Sequence, residues 1–178
     1  MHVLFVCTGN ICRSPLAERL AVAYSARSPI PNFTVSSAGT RAMIGHPIHH
    51  EAAVVLEALG GHPSNFAARQ LNSRIASAAD LILTMTMAQR GAALQLAPHQ
   101  LHRTFTLSEA AELASDVNVR NLSDLAAHRP QVADHELSDV PDPIGQNSEF
   151  FATVGVQISN LLPPVLELCR RASAPATD

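Results

Sequence analysis

The strongest constraint on this chain lies in its first fifteen residues. Val3, Leu4, Phe5 and Val6 form a short β-prone run that stops at Cys7-Thr8-Gly9-Asn10, and Ser14-Pro15 then opens a periodic apolar segment. Such a run suits a buried strand, and Gly9-Asn10 a tight loop. Ser14 is the residue type that caps a helix, and Pro15 fits its first turn. Leu16, Leu20, Ala23 and Tyr24 follow on one helical face, which makes the sole tyrosine a core residue. Strand, tight loop, helix is a unit that must be buried in a layered α/β arrangement.

The rest of the chain repeats the theme. Residues 33–36 read as a second strand stopped by Ala38-Gly39, and residues 49–59 as a helix with Ala53, Leu56 and Leu59 inward and Gly60-Gly61 ending it. A weaker helix at 71–79 precedes a third strand at 80–85, apolar enough to be covered on both faces. A helix at 87–96 ends before Pro98, residues 103–107 give a fourth strand, and Ser108 starts another helix. The polar stretch 117–143 predicts a long surface loop with short helical pieces, and 150–171 a final helix bent at Pro163-Pro164. The expectation is an α/β fold: a parallel sheet flanked by helices on both faces, one domain over 1–171, and a disordered tail at 172–178. In such sheets ligands bind beyond the carboxyl ends of the strands, where the segment from Cys7 to Arg13 sits.

Composition narrows the setting. A length of 178 residues supports one core, and a net charge of −3 gives no footing for nucleic acid or a membrane surface. All 12 basic residues are arginine. Three cysteines (Cys7, Cys12, Cys169) do not make a disulfide scaffold. No run approaches the roughly 18 apolar residues of a membrane span, and the amino terminus lacks a basic leader. A cytoplasmic, reducing location is expected. His46, His49 and His50 lack the spacing of a metal site, so no metal is expected.

Cys7 and Arg13 form Cys-x5-Arg, a cheap pattern alone but an informative one between a strand and a helix. A loop there can turn successive N–H groups inward, and with the helix start behind it these make a seat for a dianion. The same field favours a thiolate at Cys7. Arg13 offers paired donors to phosphoryl oxygens, Gly9 and Asn10 tolerate left-handed backbone, and the Ser14 hydroxyl can serve the sulfur.

The run from Val6 to Pro15 (Val-Cys-Thr-Gly-Asn-Ile-Cys-Arg-Ser-Pro) resembles the phosphate loop of the low-molecular-weight protein tyrosine phosphatases, in a bacterial-type version. Ser36-Ser37-Ala38-Gly39-Thr40, residues 79–85 and Val140-Pro141-Asp142-Pro143 extend the similarity. The resemblance implies a four-stranded parallel sheet, no cofactor or metal, and a phosphorylated protein as partner. It implies Cys7 as the nucleophile of a phosphocysteine intermediate, Arg13 as phosphoryl holder, and Asp142 as general acid and then base. It further implies Thr8, Gly9, Asn10, Ile11 and Cys12 as the amide cradle, Asn10 and Ser37 as braces, Ser14 as support, and Cys12 as redox partner of Cys7. Asp139, three residues from Asp142, is the competing acid.

Two departures bear on substrate. Ile144-Gly145 replaces the tyrosines that eukaryotic members carry after Asp-Pro, and Phe66 stands where many relatives place a loop-bracing histidine, leaving Asn10 one fewer polar partner. Ile11, bulkier than the threonine of the phosphoarginine-cleaving branch, favours phosphotyrosine; Met43 is expected at the site entrance. Protein arginine phosphatase is the main alternative. Arsenate reductase is discounted because only Cys169 remains downstream, and a non-catalytic phosphate-binding module because nucleophile, arginine and acid are all present.

Overall fold

The computed structural model describes residues 1–129 and 138–173; the middle of the long loop and the end of the expected tail lie outside them. Four strands form one parallel sheet in the order β2-β1-β3-β4, with β1 at His2–Cys7, β2 at Thr34–Gly39, β3 at Leu81–Thr84 and β4 at Thr104–Thr106. The two most apolar runs, β1 and β3, take the centre, where both faces of a strand are covered. Val3 is level with Val35 on one side and Leu81 on the other, and Cys7 is level with Gly39.

Alternation along β1 sorts the helices. Val3, Phe5 and Cys7 join the larger core with α1 (Arg13–Arg27), α2 (His50–Ala58), α5 (Leu107–Ser115), α6 (Leu122–His128) and α7 (Ser148–Ser173). Leu4 and Val6 face the smaller one, with α3 (Ser73–Ser77) and α4 (Met87–Leu96). Helices on both faces are therefore as expected. Beyond the end of β2 the chain adds a further edge: the Gly39 N–H donates to the Arg69 carbonyl at 3.0 Å and the Leu71 N–H to the Gly39 carbonyl at 2.8 Å.

Local expectations were corrected in four places. Helix α1 begins at Arg13 with Cys12 as an N-cap that lends no side chain, so Ser14 is inside the first turn and is no cap. Helix α5 is capped by Thr106, whose hydroxyl accepts from the Glu109 N–H while the Glu109 carboxylate accepts from the Thr106 N–H. Ser108 instead donates its hydroxyl to the Ser138 carbonyl, tying down the start of the 138–143 loop. Residues 98–103 form an unanticipated 3₁₀ turn.

Helix α7 is the fourth. It runs unbroken through Pro163 and Pro164 and includes Ala172 and Ser173, which had been assigned to the tail. Proline costs the ladder the N–H that would serve the carbonyl four residues back. Those carbonyls belong to Ser159 and Asn160, half-buried and exposed, where water can serve them. Leu162, Val165, Leu166 and Leu168 meanwhile hold the helix to the core. No helix among the described residues is long and apolar enough to cross a membrane.

Candidate active site

The loop from Cys7 to Arg13 leaves β1 at its carboxyl end and curls around the Cys7 sulfur. The Asn10 N–H donates to Cys7 Sγ at 3.3 Å, from a residue in left-handed backbone with φ of 55°. Asparagine tolerates that region better than most residues; Gly9, expected to share it, does not occupy it. Among the described residues, no protein acceptor takes the N–H of Gly9, Ile11, Cys12, Arg13 or Ser14. Backbone donors are rarely left unserved, and a cluster of them along one loop is an arrangement that can seat an anion. The Arg13 side chain, 4% exposed, starts the helix behind the loop, and its buried Nε also lacks a partner.

A buried chain of hydrogen bonds sets the loop's shape. Ser14 Oγ lies 2.9 Å from Cys7 Sγ, and Asn10 Nδ2 donates to Ser14 Oγ at 2.9 Å and to Ser37 Oγ at 2.8 Å. Ser37 in turn donates to the Glu18 carboxylate at 2.6 Å, while the Arg69 N–H donates to Asn10 Oδ1 at 2.9 Å. Both halves of the Asn10 amide are thus used, and none of these partners comes from position 66. Phe66 instead lies under the Arg19 guanidinium, 5.7 Å from its centre. Gly39 permits the closeness of β2 to the loop: a Cβ there would sit 2.5 Å from the Thr8 carbonyl oxygen.

Asp142 arrives from the far side. Val140 is fully buried, its N–H donating to the Met85 carbonyl at 2.9 Å and its own carbonyl accepting from Arg13 Nη1 at 3.0 Å. That pins the loop to the end of β3 and brings Asp142 Oδ2 to 2.6 Å from Arg13 Nη2. Asp142 Oδ1 accepts from the Ile144 N–H at 3.3 Å. Asp139 is turned away and accepts from the Met87 N–H at 2.9 Å. Of the two carboxylates, Asp142 is therefore the one beside Arg13.

A cavity of about 280 Å³ opens over the sulfur, with Ile11, Met43 and Ile144 supplying apolar wall and Arg13 and Asp142 the polar side. Met43 is 45% exposed, at the rim where it was expected. All three cysteines are free thiols. Burial, reinforced by Cys7 and Asp142 and opposed by Arg13, pushes the Cys12 thiol from its ordinary 9.0 up to about 12. Among the described residues no group of three metal-type side chains converges.

Sequence reasoning missed three contributors. Glu18 was readable in principle, since it follows Ser14 by one helical turn on α1. Arg69 belongs to no motif, yet besides its N–H its Nε also donates, to the Ser37 carbonyl at 2.7 Å. Gln89 completes the capping box that Thr86 opens on α4, but nothing signalled that its Nε2 donates to Thr8 Oγ1 at 3.1 Å across 81 positions.

Comparison with known proteins agrees with this geometry. A low molecular weight protein-tyrosine-phosphatase of Acinetobacter johnsonii is 38% identical over 106 residues, covering 60% of this chain and 71% of that protein. The Wzb phosphatase of Salmonella typhi is 41% identical over 96 residues, covering 54% of this chain and 61% of its own length. Among solved structures, a low molecular weight protein tyrosine phosphatase from T. tengcongensis superposes with a TM-score of 0.75 at 29% identity, covering 94% of this chain and 98% of that one. The YwlE arginine phosphatase from Geobacillus stearothermophilus gives 0.72 at 25%, covering 93% and 90%. Residues 2–124 match the family described as low molecular weight phosphotyrosine protein phosphatase, and this chain belongs to that family.

Proposed function

We propose that this protein hydrolyses phosphotyrosine in other proteins through a phosphocysteine intermediate, residues 1–171 acting as one domain. The observation that carries the reading is the group of unclaimed amides in the loop from Gly9 to Ser14, which lines one cavity with Cys7 and includes the unpartnered Arg13 Nε. Such donors suit the three equatorial oxygens of a phosphoryl group, whose charge they hold best as the transition state spreads it. Cys7 attacks phosphorus and the bond to the tyrosine oxygen breaks; protonated Asp142 gives its proton to that leaving oxygen. Water then attacks the phosphocysteine, Asp142 takes its proton, and inorganic phosphate and the Cys7 thiolate are released. The Ser14 hydroxyl, 2.9 Å from the sulfur, stabilises the departing thiolate.

Ile11, Met43 and Ile144 give the cavity wall an apolar character that suits a phenyl ring. The family also holds arginine phosphatases, and a planar guanidinium would meet the branched Ile11 less well. The three free thiols support a reducing, cytoplasmic setting. Under peroxide, a Cys7 sulfenic acid would condense with the Cys12 thiol to give a disulfide and water.

Side-by-side kinetics on phosphotyrosine, phosphoarginine and phosphoserine peptides test the assignment. Phosphotyrosine is expected to be fastest, Cys7→Ser to abolish turnover, and Asp142→Asn to lower kcat by about 10²–10⁴-fold. Faster cleavage of phosphoarginine would transfer the assignment to that substrate, and activity surviving Cys7→Ser would end the mechanism.

A further inference from the structure

The segment after β2 lies along the phosphate loop as though the sheet continued. The Thr40 N–H donates to the Cys7 carbonyl at 2.9 Å, the Arg41 N–H to Thr8 at 3.0 Å and the Met43 N–H to Gly9 at 3.0 Å. The backbone of Arg41 is thereby fixed beside the site, while its side chain is exposed. Among the described residues, the guanidinium groups of Arg27, Arg41, Arg74 and Arg120 have no hydrogen-bond or ion-pair partner. Of these four, Arg41 is the one that borders the cavity over Cys7.

It also borders a second cavity, of about 570 Å³, that shares Thr8, Arg13 and Asp142 with the first and extends past Thr86 to Asp139. This second space adjoins the cavity over Cys7, so residues flanking a phosphorylated side chain seated there can reach it. Of the acidic groups there, Asp142 is paired with Arg13 and Asp139 accepts from the Met87 N–H. Arg41 is the cationic side chain of this space that has no partner.

We infer that Arg41 selects substrates carrying a second anionic group, a carboxylate or another phosphoryl, one or two residues from the phosphorylated side chain. This rests on the phosphatase reading above. A guanidinium matches either anion with paired donors. Because the pair would be solvent-exposed, its effect is modest, about three- to fivefold in kcat/KM, and shrinks with added salt.

Phosphotyrosine peptides that differ only in having Asn, Asp, phosphoserine or Lys at the flanking positions provide the test, with formation of the dephosphorylated tyrosine side chain within the peptide as the readout. The wild type should prefer Asp or phosphoserine over Asn by that factor at low ionic strength, and the better of the two identifies the anion. Arg41→Lys should keep the preference, and Arg41→Glu should invert it in favour of Lys, which a merely structural role would not do. Equal rates on all flanks in the wild type, or a preference for acid that survives Arg41→Glu, would overturn the role of Arg41 and leave the phosphatase reading intact. Failure of the wild type to cleave any of the peptides would remove both.

Discussion

Around Cys7 the protein spends side chains that most folds would leave for solvent. Asn10, Ser14 and Ser37 are almost completely buried, and each is used by at least two partners. Buried polar groups of this kind are costly unless every bond is made, so the network rigidifies the loop only while it is complete. Ser14→Ala removes the hydroxyl that meets both the sulfur and Asn10. Its expected effect is a fall in kcat of about 10- to 100-fold with a much smaller change in KM, because the hydroxyl matters most as the thiolate departs; a steady-state titration with an aryl phosphate separates the two. The consecutive members of this site, Cys7 to Ser14, were legible in the sequence because their chemistry depends on neighbours along the chain. Arg69 and Gln89 act through space across long sequence separations, and only Glu18, one helical turn after Ser14, could have been found from its own surroundings.

Elements were legible where the chain punctuates itself. Met87 to Leu96 stood out as a run that Pro98 ends, and Gly60, in left-handed backbone, closes the region after α2. Caps were harder, because Thr106 and Ser108 are both plausible N-cap residues and only the course of β4 decides between them. Helix α7 shows tertiary packing overriding a local breaker: its buried stripe outweighs two lost backbone bonds. Pro163→Ala restores an N–H opposite the Ser159 carbonyl at an exposed position, and should raise stability by about 1–3 kcal/mol without altering turnover. A shift of the urea midpoint to higher concentration, with unchanged m-value, is the expected sign. A midpoint that stays put or falls would mean that the prolines are accommodated without cost.

For the molecule as a whole, the cysteines tie folding to pH. Burial holds the Cys12 and Cys169 thiols at about 12 rather than their ordinary 9.0. Both groups are raised in the folded state, so above pH 9 the unfolded chain loses protons that the native one keeps. Stability should then be fully present below about pH 9 and fall as pH climbs towards 12, by up to roughly 1.4 kcal/mol per pH unit for each thiol. The chain has no lysine and one tyrosine, which keeps this alkaline limb free of most other titrations. Urea unfolding in the presence of reductant across that range should show the slope, and Cys169→Ala should remove about half of it. The two-sided cover of β3 was readable from its apolar run, whereas the sheet order and the edge that residues 69–71 add beside the end of β2 were not, since no hydrophobic period announces them.

The three amides that fasten residues 40–43 to the phosphate loop act as a hem along the mouth of the site. A hem opens from one end, so these protons should exchange with deuterium as a group, at a common rate well above that of β1. A tightly held oxyanion such as vanadate should slow them together. Whatever frays that edge also loosens the loop that carries the nucleophile, so the grip on an oxyanion should weaken wherever this stitching gives way.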